Sequence, residues 1–294
     1  MSARGARATR AESGSHRSGH GAGHRRPGTL APLFLHVLRL QSRGVVIWGL
    51  ALGLLNLITV ASFPAVEDQS QVINDLVESY PPEVRNLFGM GEGTDLTTIE
   101  GFLAAQTFNF LAPLALAFFP ILASAGAIAG AEERGAMDVL LGNPLPRWQL
   151  VVGNFLAIAV SLLGILAILG LFTWVPARLM DIDLSLGRTA EAVLNMWPLC
   201  VTLGSLAMLC SAAFHRRVLA VAIPGAVLVA MYFVNALGNT AEGLEDARPF
   251  TVFYYYGSAI ESGVDWPSFG GVTLAALLLL LLAALAFDRR DIYT

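Results

Sequence analysis

The run AEERGAMDVLLGNPLPRW, residues 131–148, gathers the ionisable groups best placed for chemistry or recognition in an otherwise apolar chain. Glu132 and Glu133 stand side by side, Arg134 and Asp138 follow at i,i+4 spacing, and Arg147 with Trp148 closes the run. On a helix, Arg134 and Asp138 pair on one exposed face. Met137, Leu140 and Leu141 lie on another, and Asn143-Pro144 stops the helix. A short amphipathic turn resting on lipid is one reading. It leaves the carboxylate pair unexplained, because an anionic inner leaflet repels it. Docking of a protein partner fits the pair better.

Conventional catalytic constellations are missing. The sequence holds no HExxH, no GxSxG and no GxGD pair of aspartates. It also holds no lysine, so all eighteen basic residues are arginine. A P-loop needs its lysine at the β/γ-phosphates, which excludes that ATP site from this chain. The glycine-rich GMGEGTD at 89–95 follows no strand and reads as a flexible loop. Cys200 and Cys210 lie within an apolar segment at non-ligand spacing, which fits neither a disulfide framework nor a zinc site.

The remaining polar groups lie inside apolar stretches: Asn56, Thr59, Gln106, Thr107, Asn109, Asn154, Asn195 and Asn235. Each can bond between helices or line a substrate path, and packing is the simpler role. Charges are nearly absent there, which argues against proton-relay transport. Gly49-xxx-Gly53 and Gly126-xxx-Gly130 permit close helix approach, within one chain or across a dimer.

These residues must be positioned by membrane helices. Of 294 residues, 55% are hydrophobic and 14% charged, with mean hydropathy +0.63. Soluble domains carry about a quarter charged residues, so this is an integral membrane protein. Residues 1–28, rich in Arg, Ser, Gly and His, read as a disordered basic cytoplasmic tail. Nucleic-acid binding and organelle transit are weaker readings of that tail, and a cleaved signal peptide is disfavoured because the first apolar span starts far from Met1.

The stretch TLAPLFLHVLRLQSR predicts an N-terminal helix lying in the interface, with Leu30, Leu33, Phe34, Val37 and Leu38 at helical spacing. Six spans of the required length follow near 45–63, 106–130, 149–176, 191–214, 218–237 and 268–287. Fourteen of the eighteen arginines then fall on one side, which places both termini in the cytoplasm. In the first outer loop, Val72, Ile73, Leu76, Val77 and Tyr80 predict a short amphipathic helix ended by Pro81-Pro82. Thr97 and Glu100 form a capping box that starts the helix of the second span. Tyr254, Tyr255 and Tyr256 predict an outer aromatic belt, with a substrate-binding cage as the alternative.

The run EERGAMDVLLGNPLPRWQLVVGN resembles the pattern of ABC-2 type permeases, membrane subunits of bacterial ABC transporters. Glu132, Glu133, Gly135, Leu140, Leu141, Pro144, Arg147 and Gly153 match it, with Ala136 in place of a small hydroxyl residue and Asn154 where lysine is common. YPPEVRNLFG and IEGFL in the long outer loop and AFDRRDI at the end are similar to the family too. The resemblance implies an all-α membrane domain over 29–294, with six transmembrane helices, the interfacial helix and a short cytoplasmic coupling helix. It also implies a separate ABC ATPase subunit that binds ATP and magnesium, a second permease copy (homodimer or paired permease), and no cofactor on this chain. Glu132, Glu133, Gly135, Leu140, Leu141, Pro144 and Arg147 would then face the ATPase, in a multi-pass protein of the bacterial plasma membrane. Arg289, Arg290 and Asp291 are secondary candidates, a stop-transfer anchor being their plainer role. The expected function is that of an exporter permease. The rival is a membrane assembly or sensory protein that binds through its outer loop. An intramembrane enzyme is disfavoured by the lack of paired catalytic groups.

Overall fold

A computed structural model describes residues 30–67, 69–90, 94–135, 146–238, 240–241 and 243–289. Among these residues the chain is helical, without strands. Among the described residues five helices are long and apolar enough to cross a bilayer, or six spans when one pair of bent helices counts as a span.

The first helix, α1 (Leu30–Glu67), runs without interruption through the expected interfacial segment and the first span. No separate interfacial helix forms. Gly44 is the nearest helix breaker, and a single glycine costs too little to stop a helix that packs on a neighbour along its length. The following loop folds into the expected amphipathic α2 (Ser70–Glu78), and then into an unexpected α3 (Pro82–Leu87), with proline in its first turn, where its missing N–H costs nothing.

The stretch expected as the second span is a pair of bent helices. It begins at α4 (Ile99–Leu103), passes through a π-turn at Ala104–Phe108, and resumes after a 41° bend as α5 (Leu111–Ala127). The cap that starts it lies one residue beyond the expected Thr97 box: the Thr98 hydroxyl accepts the amide of Gly101. Asp95 has already taken the amide and hydroxyl of Thr97, at 2.9 and 2.7 Å. Those bonds, the hydroxyl first and the amide next, hold its carboxyl below the usual range. After α5 come the short α6 (Ala129–Glu133), then α7 (Arg147–Leu179), α8 (Leu186–Ala213) and α9 (Arg217–Leu237). A 3₁₀ turn (Glu245–Phe250), α10 (Val252–Tyr256) and α11 (Ala259–Ser262) lead into α12 (Trp266–Asp288).

The core forms around α8, the most buried span, which packs against α5, α7, α9 and α12. Small residues set these approaches. A Cβ on Gly204 of α8 would lie 2.8 Å from Pro120 Cβ of α5, and one on Gly49 of α1 would lie 2.6 Å from Ile168 Cδ1 of α7. A Cβ on Gly53 would come within 2.9 Å of Phe172. The Gly49-xxx-Gly53 pair therefore closes α1 on α7 within one chain. Among the described residues a Cβ on Gly126 would meet nothing within 4 Å, so the second glycine pair makes no such seam there.

Candidate functional site

The site is built where α5 approaches the end of the bundle that carries the expected coupling residues. α5 ends at Ala127, and Ile128 leaves α-helical geometry (φ −115°, ψ −71°) before α6 resumes. In an unbroken helix the amide of Ala129 would donate to the carbonyl of Ala125. Here the Ser211 hydroxyl of α8 stands between them. It accepts from Ala129 N at 2.9 Å and donates to Ala125 O at 3.3 Å. A side chain inserted into the helical ladder is a recognised cause of a kink, and the buried backbone groups stay satisfied.

Beyond the break both carboxylates turn to their own chain. Glu132 Oε1 lies 2.8 Å from His215 Nδ1, an ion pair when that imidazole is protonated. Glu133 Oε1 accepts the amide of Arg217 at 2.7 Å. That amide is the first of α9, whose preceding residue Arg216 offers no side-chain cap. A carboxylate there satisfies an orphan donor and meets the positive end of the helix dipole.

Arg134 donates to the Gly126 carbonyl at 3.4 Å, and Gly135 ends α6 in the left-handed region at φ +66°. Its expected partner Asp138, the amphipathic turn, Leu140, Leu141 and Pro144 lie outside the described residues. The chain re-enters at Pro146. Arg147 Nη1 then reaches the carbonyls of Phe287 and Asp288, each at 3.4 Å, and its guanidinium stands 5.9 Å from the Phe287 ring centroid. A cation at the last carbonyls of α12 complements that helix end. Both flanks of residues 136–145 are thus tied to other spans: 132–133 to the α8–α9 turn, and 147 to the end of α12. Leu33 of α1 packs toward Gly153 near this same end, so both ends of the described chain lie on one side of the bundle.

The polar residues inside the spans mostly bond within the protein. Asn56 donates to the Thr173 hydroxyl between α1 and α7, both fully buried, and Thr173 donates onward to Leu169 O. Asn195 holds the Tyr256 carbonyl at 2.6 Å, while Asn154 and Thr59 bond back to their own helices at Leu150 and Leu55. Asn109 donates to Gly89 O at 3.1 Å and, with Asn235, lines a cavity of about 160 Å³ at the opposite end of the bundle. Of these residues only Asn109 and Asn235 are brought to one cavity; Asn56, Thr59, Asn154 and Asn195 bond elsewhere. The tyrosines do not form a cage. Tyr256 is buried with its hydroxyl on Phe108 O, whereas Tyr254 and Tyr255 stay exposed in an edge-to-face contact. Among the described residues no group of three or more His, Cys, Asp or Glu side chains is arranged to hold a metal.

The family model for ABC-2 family transporter proteins matches residues 40–292. The chain belongs to the ABC-2 transporter family. The match runs from within α1 past the end of α12, so it covers the spans and the site together. No curated protein sequence matches the chain at a significant level. ABC-2 permeases generally pair with an ATPase subunit. This ABC-2 chain, with its several apolar helices, is a multi-pass membrane protein.

Sequence reasoning did not find Ser211 or His215. Serine in an apolar span gives no signal of its partner, and Ser211 lies 82 positions from Ala129. His215 was visible only as a polar residue between two spans.

Proposed function

We propose that this chain is the permease subunit of an ATP-driven ABC exporter of the bacterial plasma membrane, working beside a second permease copy. A separate ATPase subunit binds ATP and magnesium and docks on the cytoplasmic surface that carries Glu132, Glu133, Gly135, Leu140, Leu141, Pro144 and Arg147. Nucleotide-driven motion of that subunit enters at residues 136–145, and the spans alternate between inward and outward states.

The observation that carries this reading is the anchoring of both loop flanks. Movement there reaches α8 and α9 through Glu132 and Glu133, and α12 through Arg147, without crossing the bundle. The arginine asymmetry supports a cytoplasmic location for this end. The missing P-loop supports a division of labour in which hydrolysis belongs to the partner.

The test is affinity capture of the P-loop ATPase encoded in a neighbouring reading frame, followed by ATP hydrolysis in proteoliposomes. The wild-type chain should retain the ATPase and change its rate, whereas the chain alone should neither bind nor hydrolyse ATP. Glu132→Gln with Glu133→Gln should weaken capture or uncouple hydrolysis from transport. Losing one partner of a desolvated charge pair costs about 2–5 kcal/mol, and a rim charge much less. Capture and rate both indifferent to the double change would remove these residues from the docking surface. Failure of the wild-type chain to capture any ATPase would overturn the permease reading itself.

A further inference from the structure

We propose that α6 moves as part of the α8–α9 turn rather than as the end of α5, with Ile128 as the hinge and Ser211 and His215 as positioning residues. The proposal rests on the permease reading, since it assigns the path by which force leaves the ATPase surface.

Three contacts tie α6 to one short segment, 211–217. The Ser211 hydroxyl holds its first amide, His215 holds Glu132, and the leading amide of α9 holds Glu133. Arg217 also packs its Cδ within 3.2 Å of where a Gly130 Cβ would stand, so the surfaces touch between the polar contacts. On the α5 side, the ladder bond from Ala129 to Ala125 is interrupted by Ser211 itself. On that side stand the Glu132 amide on Ile128 O at 2.9 Å, which lies at the hinge, and the long exposed Arg134 contact with Gly126 O. A hinge absorbs motion at a few element-terminal residues while the packed pieces on each side stay rigid. Ile128 is such a point, and the rigid piece beyond it contains both α6 and the turn.

Two chemical bridges, made in the assembled permease–ATPase complex, test this. In a chain carrying Cys200→Ala and Cys210→Ala, Gly130→Cys with Arg217→Cys allows α6 to be fixed to the turn by a short bis-thiosulfonate reagent. Gly126→Cys with Arg134→Cys allows α6 to be fixed to α5 instead. Each variant is compared with itself before and after bridging. The first bridge should leave ATP hydrolysis by the complex within about twofold, and the second should lower it at least tenfold. Loss of activity with the first bridge overturns the proposal, as does tolerance of the second.

Ser211 supplies an independent measurement if a cysteine pair assembles poorly. Ser211→Ala should still capture the ATPase but lose the change of rate that assembly brings, and Ser211→Thr, which keeps the hydroxyl, should restore it. A purely structural serine would instead lower yield and capture together, and that result would also overturn the proposal. Absence of any captured ATPase in the wild type would be the failure of the permease reading, which these comparisons do not share.

Discussion

Glu133 caps a helix that begins 84 residues after it, its Oε1 lying 2.7 Å from the amide of Arg217. Caps ordinarily come from the residue just before a helix, where a short side chain reaches the second or third amide. Here the preceding residue is Arg216, which makes no such bond. The charge that makes Glu133 conspicuous in the sequence is therefore used inside the chain, at the start of α9. It remains exposed on the surface assigned to the ATPase, so one carboxylate reports on both contacts.

Gly135 should be required for its backbone. With φ at +66° and nothing among the described residues within 4 Å of a Cβ, a side chain meets strain and no clash with them. Gly135→Ala and Gly135→Leu should lower stability alike, by about 1–2 kcal/mol, with Gly135→Asn milder. Thermal unfolding in detergent measures this. If Leu proves equal to Ala in unfolding but much worse in capturing the ATPase, the partner's backbone must approach Gly135 closely.

The seam between α1 and α7 should be sensitive to single methyl groups. Gly49→Ala places a carbon 2.6 Å from Ile168 Cδ1, and overpacking of this kind costs about 1–3 kcal/mol. Ile168→Ala should relieve it, making the pair of changes more stable than Gly49→Ala alone. Unfolding midpoints of the two single variants and the double variant decide the matter. Absence of relief would mean that Gly49 serves a contact outside its own chain.

Orientation can be read with an impermeant thiol reagent on intact cells. Val72 and Phe250 are 68% and 81% exposed at the end of the bundle opposite Arg147, while Arg216 is exposed near Glu133. Cysteines at 72 and 250 should react from outside, and one at 216 should react only after permeabilisation. Outside labelling at 216 would reverse the topology and remove the ATPase from this surface.

Much of the fold was legible because spans are long averages. Twenty apolar residues give a signal that no single exception spoils, so the last four spans fall close to their expected bounds. Local competition was harder to see. Thr97 and Glu100 matched a capping box, yet Asp95 bound Thr97 first and left Thr98 to cap. A boundary between interfacial helix and first span did not form where it was expected, because periodicity reports a buried face, not a helix boundary, and nothing near Gly44 stops α1. Three adjacent tyrosines invited a single role, although one turn of helix buries Tyr256 and exposes its neighbours. At the site, Glu132, Glu133 and Arg147 stood out by charge in an apolar chain. Partners among the described residues, a histidine, a backbone amide and two carbonyls, are distant in sequence and carry no shared pattern.

The uninterrupted α1 has a consequence for the bilayer itself. At about 1.5 Å per residue, its 38 residues reach roughly 57 Å, nearly twice the hydrocarbon thickness of about 30 Å. Because no break fixes where the membrane-embedded part must begin, α1 meets a thicker or thinner bilayer by submerging or exposing a turn. Hydrophobic mismatch that would strain a short span is absorbed along its length. The span α9, at 21 residues or roughly 31 Å, has no such reserve, so its length bounds the bilayer thickness that the bundle fits.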